Sequence, residues 1–377
     1  MDDVKERPEI ASVSSGPYVG ADPEIFVVNG AGVVIPAFAF LGDQVKGKAG
    51  SSEPTRLPYG VRGMIPEKTP LHTEYYSLHN DGFQAEFTVR HDTCLAYVVD
   101  HIQFGLKALL SAAKEFDPTA TLVPDPIVEI PEELLLAAPP KYLQMGCAPS
   151  LNVSGIHGEA VADGKALPIR FAGSHVHIGL PSVASRKTPN LERIVMAMDC
   201  IAGVMSVALF GGKNERLRRN YYGLPGEYRL PKHGIEYRAL SAAMLRHPVY
   251  YHLLVDAARF AMRMGDQDLM KHWWTTPIES VVSCMRTGTK KFAREIIARE
   301  PVFMEFLQKR YHSYREGICS YEVADNLLGI LLGKKKIKDV GFVGNWKLDQ
   351  SASFENENRW MPHSDGPNCQ ASHVEVV

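Results

Sequence analysis

Four short segments of the chain set charged or imidazole side chains two residues apart among apolar ones, a spacing that few folds accommodate. Residues 18–28, Y-V-G-A-D-P-E-I-F-V-V, carry Asp22 and Glu24. Residues 83–89, F-Q-A-E-F-T-V, carry Gln84, Glu86 and Thr88. His175 and His177 lie in residues 170–181, R-F-A-G-S-H-V-H-I-G-L-P, and Glu236 and Arg238 in residues 235–240, I-E-Y-R-A-L. Their β-branched and aromatic content marks all four as strands. Side chains alternate along a strand, so each polar set shares one face and its apolar neighbours take the other. Singly, each set also fits a solvated sheet face or a cross-strand ion pair. Together they describe an antiparallel sheet with one face lined by carboxylates, imidazoles and guanidiniums.

That face implies a cation. Asp22 and Glu24 repel each other unless positive charge sits between them. Carboxylates with an occasional imidazole suit Mg2+ or Mn2+, whereas zinc would call for more His or Cys. Arginines beside a metal suit phosphate clamping. The stretch R-R-N-Y-Y-G-L-P-G-E-Y-R at 218–229 supplies Arg218, Arg219 and Arg229 ahead of Arg238.

The 377 residues are 45% hydrophobic and 22% charged, enough for one large globular domain. We expect a loose polar start over 1–16, a domain over 17–348 whose part from about 242 to 335 is helical, and a polar tail over 349–377. The net charge of −2 gives no global field for nucleic acid. Six cysteines without C-x-x-C spacing read as buried thiols of a reducing cytoplasm. No apolar signal core opens the chain, and no apolar run looks long enough to span a membrane. Pro23 suggests an edge or a strand start, and Asn29-Gly30 a hairpin turn into 33–35. Residues 42–68 read as a long loop whose Lys46 and Lys48 can reach an anionic substrate or nucleotide. Helices are expected over about 95–115, capped by Asp92 or Thr93, over 191–210, and over 242–264 with a break at Pro248. Three more follow over 277–298, 301–309 and 323–332.

The order of these motifs resembles glutamine synthetase and the glutamate–cysteine ligases, and most closely the phage-type carboxylate–amine (COOH–NH2) ligases of the same fold. G-A-D-P-E-I-F-V resembles the E-x-E strand of that superfamily, with Asp22 in place of its first glutamate. D-G-F-Q-A-E-F resembles the next metal-binding strand. A-G-S-H-V-H-I-G-L resembles the G-x-H-V-H segment, and R-R-N-Y-Y-G-L-P-G-E-Y-R with G-I-E-Y-R-A-L-S resembles the late arginine and E-x-R segments. The likeness runs over about residues 18–245. It implies an α+β fold, a curved antiparallel sheet with helices on its convex face. It implies that Glu24 and Glu86 hold one metal, and that Asp22, His175 and Glu236 hold a second. His177 would lie near the nucleotide phosphates, and Arg219, Arg229 and Arg238 would bind the transferred phosphoryl or the acyl-phosphate. Arg218 and Glu227 fall outside the expected site, Tyr221 and Tyr228 pack, and Asp81 caps its turn.

The implied activity is an ATP-dependent ligase that joins a carboxylate to an amine through an acyl-phosphate, with ATP and Mg2+ (or Mn2+) as cofactors. A phosphotransferase of the same fold, guanidino kinase-like, and an inactive nucleotide-binding protein are the alternatives. Expected partners are small-molecule or peptide acids and amines, with a modified nucleobase left open, no membrane, and a homo-oligomer also open. The expected compartment is the cytoplasm, that of a bacterial host if the chain is phage-encoded.

Overall fold

The computed structural model describes residues 17–41, 44–46, 59–61, 76–143, 150–159, 167–307 and 321–349. Its strands are β1 (Val19–Val28), β2 (Gln44–Lys46), β3 (Tyr59–Val61), β4 (Tyr76–Asp81), β5 (Gln84–Asp92), β6 (Thr121–Val123), β7 (Ile127–Glu129), β8 (Leu151–Asn152), β9 (Ile169–Phe171), β10 (Ser174–Gly179), β11 (Glu227–Arg229) and β12 (Gly234–Tyr237). Seven of them form an open path in the order β4-β5-β1-β10-β12-β11-β8, and β6 pairs with the far end of β1. Every pairing is antiparallel. With helices layered against this sheet, the architecture is α+β.

Strand parity sorts the sheet into two faces. Val19, Ala21, Ile25 and Val27 of β1, Ala85, Phe87 and Val89 of β5, Val176 and Ile178 of β10, and Ile235 and Tyr237 of β12 all enter one core. The opposite face carries the alternate residues. Helix α1 (Ala37–Phe40) follows the first turn, and α2 (Leu95–Phe116) lies against β4 and β5. Leu95, Val98, Ile102, Leu106 and Leu109 recur at helical spacing on α2, and all are buried. Each such side chain contributes about 1.5–3 kcal/mol on burial. Asp92 does serve the start of α2, accepting from the Cys94 N–H at 2.7 Å, and the cap position itself is Cys94.

After α3 (Glu132–Ala137), the chain runs from Asn190 to Phe210 as one helix, α4 (Asn190–Met198) and α5 (Val204–Phe210) joined by a π turn over Asp199–Gly203. By length and composition this helix could cross a bilayer, contrary to the expectation that no run was long enough. It is the central helix of the core, with 83% of its most apolar window buried. Next come α6 (Lys213–Tyr221), α7 (Pro248–Asp266), α8 (Met270–Trp273), α9 (Ile278–Thr287), α10 (Lys290–Arg299), α11 (Pro301–Glu305) and α12 (Tyr321–Leu331). Pro248 opens α7 at its first turn, where a missing N–H costs nothing, and a 3-10 turn over Ala242–Arg246 precedes it. The helix expected over 277–298 divides at Gly288, which takes φ +60 and closes α9 with a left-handed cap.

Three other expectations fail on physical grounds. Pro23 sits inside a central strand, flanked by β5 and β10. The Glu24 N–H bonds the Gly173 carbonyl beside β10 at 2.9 Å, so by alternation the missing N–H of Pro23 falls on the β5 side, at the cost of one ladder bond. The presumed loop over 42–68 contains the pair β2–β3. The segment 170–181 is two strands in different sheets, β9 with β7 and β10 with β1 and β12, parted at Ala172-Gly173. Cys200 and Cys284 are buried free thiols and Cys94 is half-buried. Cys147, Cys319 and Cys369, like residues 1–16 and 350–377, lie outside the described residues.

The crossing of α4 and α7 depends on Gly265, where an added Cβ would lie 2.5 Å from the Ile194 Cα and 2.6 Å from the Arg193 carbonyl. Alanine would gain about 1 kcal/mol in helix propensity, but forcing two backbones apart costs about 1–3 kcal/mol. Gly265→Ala is therefore expected to lower the denaturant midpoint at unchanged m-value. An unchanged or raised midpoint would show that the crossing has slack.

Candidate active site

The polar face of the sheet assembles by register. Asp22 stands opposite His175 and Glu24 opposite Glu86. His177 stands opposite Glu236, and His79 of β4 opposite Glu86. The carboxylates and imidazoles expected on one face therefore share it, from four adjacent strands. Arg229, facing Glu236 from β11, and Arg238, just past β12, complete the set.

Glu24 is the most deeply set, 1% exposed. It accepts from the Gly173 N–H at 2.6 Å and from the Tyr222 hydroxyl at 3.0 Å. The approach requires a glycine: a Cβ on Gly173 would meet His175 Nε2 at 2.8 Å and the Tyr222 ring at 3.1 Å. His175 Nε2 lies 2.6 Å from the same hydroxyl and 3.8 Å from Glu24, and its Nδ1 lies 3.6 Å from Glu236. Arg238 pairs closely with Glu236 and donates to the Tyr222 hydroxyl at 3.0 Å. Arg229 lies 3.6 Å from Glu236. Toward the rim, His177 pairs with Asp22 at 2.8 Å and contacts His233 at 3.0 Å. On the other side, His79 pairs with Glu86 at 3.0 Å.

Charge is unevenly settled across this face. Burial, reinforced by the carboxylates of Asp81 and Glu86, pushes Glu24 up to about 8 against the pull of the Gly173 N–H and Arg238. Burial and Glu86 raise Asp81 to about 6. Burial also opposes charge on Asp22, but His177 overrides it and holds that carboxyl below its ordinary range. His177 is raised in return, since the attraction of Asp22 outweighs burial. His175 is driven well below the usual imidazole range by burial and then by Arg238, so it is neutral at neutral pH. The site thus has an acid-rich corner at Glu24, Asp81 and Glu86 and a cationic corner at Arg229 and Arg238.

Several assignments change with the geometry. Arg219, expected to bind phosphate, points away from the polar face. It donates to the Met285 carbonyl at 2.9 Å and to Ser206 at 3.3 Å, and pairs with Glu215 at 3.4 Å, within the helical layer. Its neighbour Arg218, expected outside, is fully buried under the site. Its guanidinium lies 5.1 Å from the centre of the Tyr222 ring and donates to the carbonyls of Ala239 and Leu240. Glu227 is also buried and accepts from the Leu224 N–H at 2.9 Å. Tyr221 stacks on Phe171 and Tyr228 is buried, so both pack as expected. Asp81 accepts from Gln84 at 3.1 Å across its hairpin and also belongs to the acid corner. The backbone of Lys46 lies in β2, but its side chain, like all of Lys48, is outside what is described.

Tyr222, His79 and His233 were not singled out from sequence. Residues 76–81, Y-S-L-H-N-D, alternate apolar and polar ahead of the Asp81-Gly82 turn, a hairpin signal that would have found His79. Tyr222 follows Arg218 by four residues, the helical spacing that stacks them. No protein-family model matches the chain, and no curated protein matches it either. Among the described residues no three His, Cys, Asp or Glu side chains are gathered closely enough to hold an ion as they stand. The chemistry of the acid corner nonetheless fits a divalent cation. Asp81 and Glu86 raise the proton affinity of Glu24, and Glu86 that of Asp81, through the same repulsion that a cation would relieve.

The sign of the pH effect follows. Below about 4.5, Glu24 is protonated both folded and unfolded. From there to about 8, the unfolded chain releases a proton that the fold retains, so stability falls as pH rises. Asp81 adds the same slope from 3.8 to about 6. The metal-free thermal midpoint is expected to drop between about pH 5 and 8. Glu24→Gln should flatten that drop and raise the midpoint at the alkaline end. A variant with the wild-type slope would place the titration elsewhere.

Proposed function

We propose that the protein is an ATP-dependent carboxylate–amine ligase of glutamine synthetase-like fold, acting on an acid and an amine in the cytoplasm. The observation that carries this reading is the register of β1, β5, β10 and β12, which brings Glu24, Glu86, His175, Glu236 and Arg238 to one face. A face that is acid-rich at one corner and guanidinium-rich at the other suits a reaction between two anions. In that reaction a substrate carboxylate oxygen bonds to the γ-phosphorus of ATP as ADP leaves, and the amine then displaces phosphate from the acyl carbon.

Glu24 and Glu86, with Asp81 beside them, would hold one Mg2+ or Mn2+, and Asp22, His175 and Glu236 a second. Bound there, the ions would screen phosphate charge. The chain's own groups do the rest. Arg238 offers a planar fork to phosphoryl oxygens, and Arg229 adds a second cation from the neighbouring strand. Neutral His175 keeps a lone pair available for a cation. The Tyr222 hydroxyl, shared by Glu24, His175 and Arg238, ties the acid corner to the cationic one. Arg218 fixes the ring of Tyr222 from below, and it replaces Arg219 in the set of arginines serving the site.

Two outcomes are expected. Mg2+ or Mn2+ should raise the thermal midpoint more in mildly alkaline than in mildly acidic buffer, because protons compete for the same oxygens. That rise should shrink in Glu86→Ala. Equal shifts in both proteins would remove Glu86 from the cation site.

For activity, a screen of acid–amine pairs should find amine-dependent ADP release, with the amide identified by mass spectrometry. ADP release that ignores the amine would instead favour phosphotransfer. Arg238→Lys should keep its fold and lose on the order of a hundredfold in kcat, as for loss of one oriented charge donor. Arg219→Gln should mainly lower the thermal midpoint, since it strips a buried partner from Glu215. Near-normal turnover in Arg238→Lys would take that residue out of the chemistry.

A further inference from the structure

A cleft of about 550 Å³ lies between α6 and α9, away from the carboxylates. On α6 the lining residues Lys213, Arg216, Leu217 and Asn220 recur at helical spacing, opposite the face that buries Glu215, Arg218 and Arg219. On α9, Glu279, Val282, Ser283 and Arg286 do the same, opposite buried Val281, Cys284 and Met285. The cleft is therefore the shared outer side of two helices whose inner sides are committed to the core.

Its charge is one-sided. Lys213, Arg216 and Arg286 face a single acid, Glu279. Among the described residues none of the three cations makes an ion pair, and α6 as a whole carries four cations against one carboxylate. Leu217 and Val282 supply an apolar floor, while Asn220 and Ser283 add neutral hydrogen-bonding groups. We propose that this cleft binds a small ligand bearing two or more phosphate or carboxylate groups on a partly apolar body. The volume falls in the range of small-molecule sites, roughly 300–1,000 Å³. Three cations on two helices fit a compact polyanion better than a nucleic-acid backbone, which calls for a longer basic track. The site is separate from the polar face and does not rest on the ligase reading.

The test is calorimetric titration of the full chain at low salt with two probes, inorganic tripolyphosphate and citrate, which separate the phosphate and carboxylate forms of the ligand. Saturable binding of either probe is expected, weakening on the order of tenfold as salt approaches physiological strength. Arg216→Glu with Arg286→Glu should weaken it at least about tenfold with the thermal midpoint preserved, because charge reversal turns attraction to repulsion. Arg229→Ala with Arg238→Ala should leave it in place. Three results would overturn the proposal: no saturable binding of either probe, binding lost in the Arg229/Arg238 variant but kept in the Arg216/Arg286 variant, or binding of single-stranded oligonucleotide that strengthens with length and exceeds both probes.

Discussion

Glu24 is a carboxyl group placed where water barely reaches, on a strand hydrogen-bonded along both edges. A charge there is costly unless neighbours satisfy it. The structure answers with a backbone N–H from Gly173, a hydroxyl from Tyr222 and, through that hydroxyl, the guanidinium of Arg238. Each of these carries its own requirement. Gly173 must lack a side chain, Tyr222 must be held at the end of α6, and Arg238 must be balanced by Glu236. The polar face is best understood as the set of groups needed to keep that carboxyl in place while leaving part of its charge unsettled.

The two sides of the sheet solve different problems with the same parity. Tyr237 lies between Glu236 and Arg238 in sequence but enters the helical side, where its hydroxyl donates to Asp199 at 2.7 Å in the π turn. Burial raises Asp199 to about 7, against the pull of that hydroxyl. Arg219 and Glu215 extend this second polar cluster, and Ser241 joins it through Glu215. A hydrogen-bonded layer beneath β12 thus fixes the strand that presents Glu236 above.

Facing was legible in the sequence because it needs only strand identity and a period of two. Asp22, Glu24, Glu86, His175, His177 and Glu236 could be assigned to one side before their partners were known. Choosing between Arg218 and Arg219 needed the phase of α6, and one residue of error turns a side chain by about 100°. That phase is set by contacts from Met285 and Ser206, distant in sequence. His79 was legible in principle from the alternation of residues 76–79 ahead of the Asp81-Gly82 turn. Pro23 misled because a local rule about proline met a strand with enough other bonds to absorb one missing donor. The cleft between α6 and α9 could not be read from sequence at all, since its cations become neighbours only when the two helices pack side by side.

The central position of β1 has a consequence for the newly made chain. Its first partner by order of synthesis, β5, is produced some tens of residues later, but Val19 must wait for Ile178 to fill the other edge. At ribosomal rates of about 5–20 residues per second, that edge stays open for on the order of ten seconds or longer. During the interval the nascent chain exposes the edge of β1 from Val19 to Pro23, a template for pairing with other chains, while β6 covers Phe26, Val27 and Val28 sooner. Slow decoding between β5 and β10 would prolong the hazard, so yield on overexpression should depend on translation speed and chaperone supply more than on the stability of the finished fold.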